Sequence, residues 1–228
     1  MSGYLIYHPP RVVSDFESTR VYYDNTNGNQ DPYVWNQKFL HTYCHITQMS
    51  PQVGNINFWI SGDTFPDFSS LYCDLVFVVA EKLYWENPNT IKASDPIVDT
   101  DEAYNDHYSW FEQHHYQRRR RFTLKADPES SFQPQNISQE LIDIVPFLVE
   151  EGFSLTQLRK NLRSGFNSKP MGLGLIATKL YSWLNQYANV KLSGAKLQKI
   201  RQENPYLTSA RANSSCTCLL YTSPSPRD

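Results

Sequence analysis

The densest chemistry in the chain lies in one stretch, Asp106 to Phe122, which reads DHYSWFEQHHYQRRRRF. It carries three histidines, several aromatics and four consecutive arginines. Three chemistries compete for it: metal ligation by imidazole, acid–base work, and recognition of phosphate by guanidinium. Helical phasing puts Tyr104, Tyr108, Phe111 and His115 on one face, and Asp101 and Glu102 supply acids suited to a helix N-terminus. The same phasing leaves His107 and His114 two turns apart on one flank, beside Trp110. With Asp106 they form the candidate catalytic set, as acid–base or ligand groups. Arg118, Arg119, Arg120 and Arg121 lead into a predicted strand, 120–126. Alternation along a strand lets at most two of them meet any one partner. Guanidinium suits phosphate through paired hydrogen bonds, and each such contact brings salt dependence. Pairing with the nearby acids of the Asp99–Glu112 segment is the competing use of the quartet.

Other clusters are narrower. His41, Cys44 and His45 lie in HTYCHIT, whose residue types favour a strand. There His41 and His45 share a face while Cys44 points away, which works against a joint metal site. No HExxH, no CxxC and no H-x-E with P-C-x-x-C is present, so zinc peptidase and zinc deaminase chemistry find no motif. No metal and no cofactor are expected. There is also no G-x-S-x-G and no P-loop. The stretch ISGDTFPDF, 60–68, follows an aromatic strand that contains Trp59. Ser61 and Asp63 there could line a pocket for a planar polar ligand. Alternatively, Asp63 simply bonds the backbone of its own turn.

These residues have to be positioned by a chain of 228 residues. The last eleven, CLLYTSPSPRD (218–228), have no periodicity and read as the translation of a sequencing adapter, an assembly scar excluded from fold reasoning. GYLIYH (3–8), NINFWIS (55–61) and DLVFVVAE (74–81) predict strands, the last one central and buried because it is almost continuously apolar. DPESSFQPQ, 127–135, is rich in Ser and Pro and predicts a linker. Helices are predicted over 138–152 with a kink at Pro146, over 154–165 from a Ser-x-x-Gln capping box, over 173–188 and over 193–204. The apolar positions of these helices suggest a small bundle. No apolar run approaches the ~20 residues that span a bilayer, so no membrane is expected. Neither a secretory signal nor a disulfide framework is evident, and cytoplasmic residence is the expectation.

Charge is unevenly spread. Residues 1–100 hold 5 basic and 11 acidic side chains, and 101–153 hold 5 and 10. Residues 154–217 hold 10 basic side chains and a single acid, Glu203. A strongly basic end after an acidic body points to a polyanionic partner.

Read in order, VGNINFWISGD (53–63), DLVFVVAEKLYW (74–85) and EAYNDHY (102–108) resemble the nucleotide-modification-associated domains of phage and bacterial genomes. Those domains are relatives of the PUA-like class that includes the ASCH and EVE types. The resemblance covers residues 3–125, and Asn55 stands where the family tends to carry Asp. It implies an α+β fold, a small curved PUA-like β-barrel with flanking helices over 1–126. A linker (127–137) and a basic helical region (138–217) would follow. It also implies a binding module that recognises a base, modified or not, in an aromatic-lined pocket. Trp35 and Trp59 would stack, Ser61 and Asp63 would read base edges, and Arg118–Arg121 would hold phosphates. Nucleic acid or a nucleotide is the implied partner. A nucleotide-directed hydrolase or transferase built on Asp106, His107 and His114 is the alternative. A structural or interaction protein whose aromatics are all core is the third.

Overall fold

An almost unbroken apolar strand needs cover on both faces, and the rest of the fold supplies it. The computed structural model describes residues 2–8, 12–16, 19–23, 42–43, 52–84, 122–162 and 170–203. The predicted central strand is β6, Leu71–Tyr84, and it is the longest element described. Along one edge it pairs antiparallel with β5 (Ile56–Gly62), which runs parallel to β1 (Gly3–Tyr7). The other edge is filled piecewise by β9 (Ile142–Asp143), β8 (Phe132–Gln133) and β7 (Phe122–Ala126). β4 (Thr42–Tyr43) extends the sheet beyond β7, β10 (Met171–Gly172) extends it beyond β1, and β11 (Val190–Lys191) pairs with β8. The described strands make an open sheet, and with the helices the fold is α+β. Among the described residues no helix is long and apolar enough to cross a membrane.

Each face of the sheet has its own core. One core joins Leu5, Phe58, Ile60 and Val76 to α1 (Val145–Glu150), α2 (Leu155–Asn161) and α3 (Ile176–Leu184) through Leu148, Leu158, Leu180 and Leu184. The other joins Ile6, Trp59, Leu75 and Phe77 to Val190, Leu192 and the apolar side of α4 (Ala195–Glu203). The expected helical bundle is therefore replaced by helices laid on two sides of one sheet. Their apolar stripes meet strands as well as one another: Phe147 of α1 stacks on Trp183 of α3 at 5.2 Å between ring centroids.

Two further expectations change. The segment 127–137, read as a linker, is threaded through the sheet: Ser131, Phe132, Gln133 and Gln135 are buried, and the Ser131 hydroxyl accepts from the Val78 amide at 2.9 Å. Its polar composition reflects side chains that substitute for backbone partners. The helix predicted from Ser138 begins only at Val145, with Pro146 in its first turn, where a missing N–H costs no helical bond. The residues before it form β9, and Asp143 Oδ1 accepts from the amides of Leu71 and Val145, both at 3.0 Å. The helix ends at Gly152 with φ +96°, as its glycine predicts, and the capping box of Ser154 and Gln157 is formed.

A two-stranded hairpin, β2 (Val12–Phe16) and β3 (Thr19–Tyr23), forms its own small sheet. Its register sets Arg20 opposite Asp15, and their side chains pair at 2.8 Å.

Sheet and helix pack closely at Gly3. A methyl group there would lie 2.6 Å from Ala177 Cβ and 2.9 Å from the Ile56 carbonyl oxygen. Gly3→Ala should therefore cost about 1–3 kcal/mol by overpacking. Urea unfolding should show a lower midpoint with an unchanged slope.

Candidate functional site

Alternation along β5 sends Ile56, Phe58 and Ile60 into the helical core and leaves Asn57, Trp59 and Ser61 on the opposite face. Neighbouring register positions are held by Tyr4 and Ile6 of β1 and by Phe77 and Leu75 of β6. Two residues predicted for the site, Trp59 and Ser61, thus share a face. Both are nearly enclosed, at 5% and 4% exposure.

The ladder between β5 and β6 slips at one place. Trp59 opposes Leu75 and Ile60 opposes Cys73, so Asp74 is an inserted residue. Such a bulge re-aims a side chain. Asp74 is 0% exposed, and its Oδ2 lies 2.8 Å from Nε2 of His8. His8 directly follows β1, its backbone amide donates to the Ile60 carbonyl at 2.9 Å, and its side chain is 12% exposed. Its ring centroid is 5.6 Å from that of Trp59, inclined at 57°. An acid enclosed in a central strand is tolerable only when partnered, and the His8 imidazole is the polar group brought to within 2.8 Å of it.

Asn57 is also 0% exposed, yet among the described residues neither its Nδ2 nor its Oδ1 has a hydrogen-bond partner. Leaving such groups unsatisfied costs about 1–3 kcal/mol each, and buried amides nearly always find partners. Among the described residues, Asn57 is thus a donor and an acceptor held in place without a hydrogen bond.

Asp63 lies elsewhere. It is exposed and holds the turn after β5: Oδ1 accepts from the amides of Ser69 (2.8 Å) and Ser70 (3.2 Å), and Oδ2 accepts from the Ser69 hydroxyl (2.6 Å). The Ser69 hydroxyl bond, followed by the Ser70 amide, lowers its carboxyl pKa to about 2. Its geometry is that of a turn-forming carboxylate. The same loop is clamped by Arg159, which donates to the carbonyls of Phe68 and Asp67. Tyr7 adds its hydroxyl oxygen as acceptor for the Gly62 amide at 3.1 Å. Burial raises the Tyr7 pKa, which keeps the phenol neutral.

Trp35, Asp106, His107, His114 and Arg118–Arg121 lie outside the described residues, as do His41, Cys44 and the tail 218–228. Among the described residues no group of three or more His, Cys, Asp or Glu side chains is arranged to hold a metal ion. His8, Asp74 and Asn57 were missed as site residues, although two of them carried signals. Asp74 is the lone charge in LYCDLVFVVA, and Asn57 repeats the alternation of Trp59 and Ser61. No family model, curated protein or solved structure matches the chain.

Two measurements probe this geometry. Asp74→Ala should cost about 3–5 kcal/mol, the usual penalty for breaking a buried pair. In a double-mutant cycle with His8→Ala, the two changes should couple by about 1–3 kcal/mol; simple additivity would show that the pair is not energetically linked. For Asp63, the depressed pKa means that its bonds to the turn are complete above the ordinary carboxylate value of ~3.9. They are lost as pH falls through about 2. Carboxyl NMR should place the midpoint there, and Ser69→Ala should move it upward.

Proposed function

We propose that the Asn57–Trp59–Ser61 face of β5 is a site for a nucleobase, and that the chain is a nucleic-acid- or nucleotide-binding module. Asn57 carries the reading. A carboxamide sets an NH₂ beside a carbonyl oxygen in one plane, which matches adjacent acceptor and donor groups on a base edge, such as N7 and N6 of adenine. Here that amide is enclosed and has no hydrogen-bond partner among the described residues. Trp59, on the same face, offers an aromatic surface, and stacking contributes about 1–3 kcal/mol per base. Ser61 adds a hydroxyl that can donate or accept.

On this proposal the open sheet belongs to a PUA-like barrel, the ligand is a base, modified or not, and the compartment is the cytoplasm. Phosphates would be held by Arg118–Arg121 and by the basic residues after Ser154. Among those, Arg159 is engaged by backbone carbonyls and Lys179 by Glu151 at 2.7 Å, while Lys160, Lys191 and Lys196 are exposed. A second reading draws on the His8–Asp74 pair. A carboxylate that orients an imidazole is the arrangement of a general base. A hydrolase or transferase acting on nucleotides would therefore use His8, alone or with Asp106, His107 and His114.

The test is an affinity and stability comparison of wild type with Asn57→Leu, using labelled single-stranded DNA and RNA oligonucleotides. Wild-type affinity should fall steeply with salt. Replacing an unsatisfied buried amide by an apolar side chain of similar shape should leave stability unchanged or raise it by about 1–3 kcal/mol. Affinity should drop by roughly tenfold or more, as expected for a lost bidentate base contact. No binding at low salt, or equal binding by the variant, would overturn the reading.

A further inference from the structure

The hairpin of β2 and β3 is attached to the molecule in an unusual way. Its docking strand, β3, presents backbone groups of Arg20 and Tyr22 to side-chain amides. The Tyr22 amide donates to Gln133 Oε1 at 3.2 Å, and Gln133 Nε2 donates back to the Tyr22 carbonyl. The Arg20 amide donates to Gln139 Oε1 at 2.5 Å, and the Arg20 carbonyl accepts from Gln135 Nε2 at 2.9 Å. Three glutamines thus make the bonds that a neighbouring strand would make. They recognise main chain, not side-chain identity. Gln133 and Gln135 are buried, so their amides are fixed in place.

The hairpin also lies on the face that concerns ligand binding. Val21 is fully enclosed and belongs to the same buried cluster as Ile6, Trp59, Leu75 and Phe77, and Phe16 packs against that cluster. The described pairing joins the hairpin strands only to each other, whereas every other described strand belongs to the nine-stranded sheet. Among the described residues, opening the hairpin therefore breaks the glutamine bonds and the bond from the Tyr22 hydroxyl to the Gln139 carbonyl, and uncovers Thr19, Val21 and Tyr22, without breaking a rung of that ladder. By contrast, β5 cannot separate without breaking its pairing with both β1 and β6.

We infer that β2–β3 is a lid over the Trp59 face that opens as a unit, with Gln133, Gln135 and Gln139 as its latch. As the route of entry to a nucleobase site the lid rests on the reading proposed above; as a separately opening element it does not. Lifting it would uncover the part of the Trp59 cluster that Val21 and Phe16 pack on, and closing it again would shut a ligand there away from water.

Native-state hydrogen exchange on the full chain, without ligand, tests the lid. The amides of Arg20 and Tyr22 report the latch directly, and the Val79 amide, bonded to the Asn55 carbonyl at 2.9 Å, reports the sheet. The latch amides should exchange at least roughly tenfold faster than Val79, with weaker denaturant dependence, as expected of a sub-global opening. Gln133→Ala should accelerate Tyr22 by a further factor of roughly ten and leave Val79 within about twofold. Equal protection and equal denaturant slopes for latch and sheet in the wild type would overturn the inference, whether or not the variant folds. Adding the oligonucleotide separates the two claims. Slowed latch exchange supports the lid as the gate of the site. A latch that opens alone but ignores the oligonucleotide keeps the lid and removes the base-binding reading.

Discussion

A fourteen-residue strand that is apolar on both sides cannot leave either side in water. β6 is such a strand: Leu71, Cys73 and Val76 enter one core, and Leu75, Phe77 and Val79 enter the other. At about 25 cal/mol per Å² of apolar surface, exposing either row would cost several kcal/mol. Helices therefore lie on both sides, and short segments fill the second edge of β6 in turn. Where a segment is too short to complete the ladder, a side chain substitutes. Ser131 serves Val78 and Asp143 serves Leu71. The same economy holds the hairpin, where glutamine amides take the place of a strand.

This constraint also explains why polar groups near β6 divide into two kinds. Asp74 enters the strand through a bulge, and the energetic cost of an enclosed carboxylate is met by His8 at 2.8 Å. Asn57 sits one strand away, equally enclosed, and among the described residues its amide has no hydrogen-bond partner. A core under selection only for packing would favour leucine at that position, since an apolar residue of similar shape removes the desolvation cost. The two residues thus differ in what lies beside them: an imidazole at 2.8 Å for Asp74, and no hydrogen-bond partner among the described residues for Asn57.

The amino-acid pattern revealed what local rules govern and hid what distant pairing governs. β1, β5 and β6 were legible from aromatic, β-branched and apolar runs, and the α2 cap was legible as Ser154-x-x-Gln157. The segment 127–137 was not, because Gln133 and Gln135 bond residues 111 and 115 positions away. Such polar residues look like a solvated linker until their partners are known. Pro146 misled for a related reason: it is compatible with a kink or with a first helical turn, and only the pairing of β9 with β6 decides. Within the site, Ser61 was named from the polar turn after an aromatic strand and Trp59 from the family resemblance, and alternation along β5 puts both on one face. His8 and Asp74 required knowing that a bulge interrupts β6. Asp63 was chemically conspicuous but is occupied by Ser69 and Ser70 of its own loop.

Charge gains meaning from this geometry. The excess of basic residues after Ser154 looks uniform in the sequence, but the fold divides it by use. Arg159 is drawn to the carbonyls of the 63–70 loop and Lys179 to Glu151, both beside the helical core. Lys191 and Lys196 stay exposed on β11 and α4, the elements whose Val190, Leu197 and Ile200 share a buried cluster with Trp59. Lys191 and Lys196 are thus exposed cations on two elements whose apolar side chains share a buried cluster with Trp59, and it is these that the proposed reading would set against phosphate.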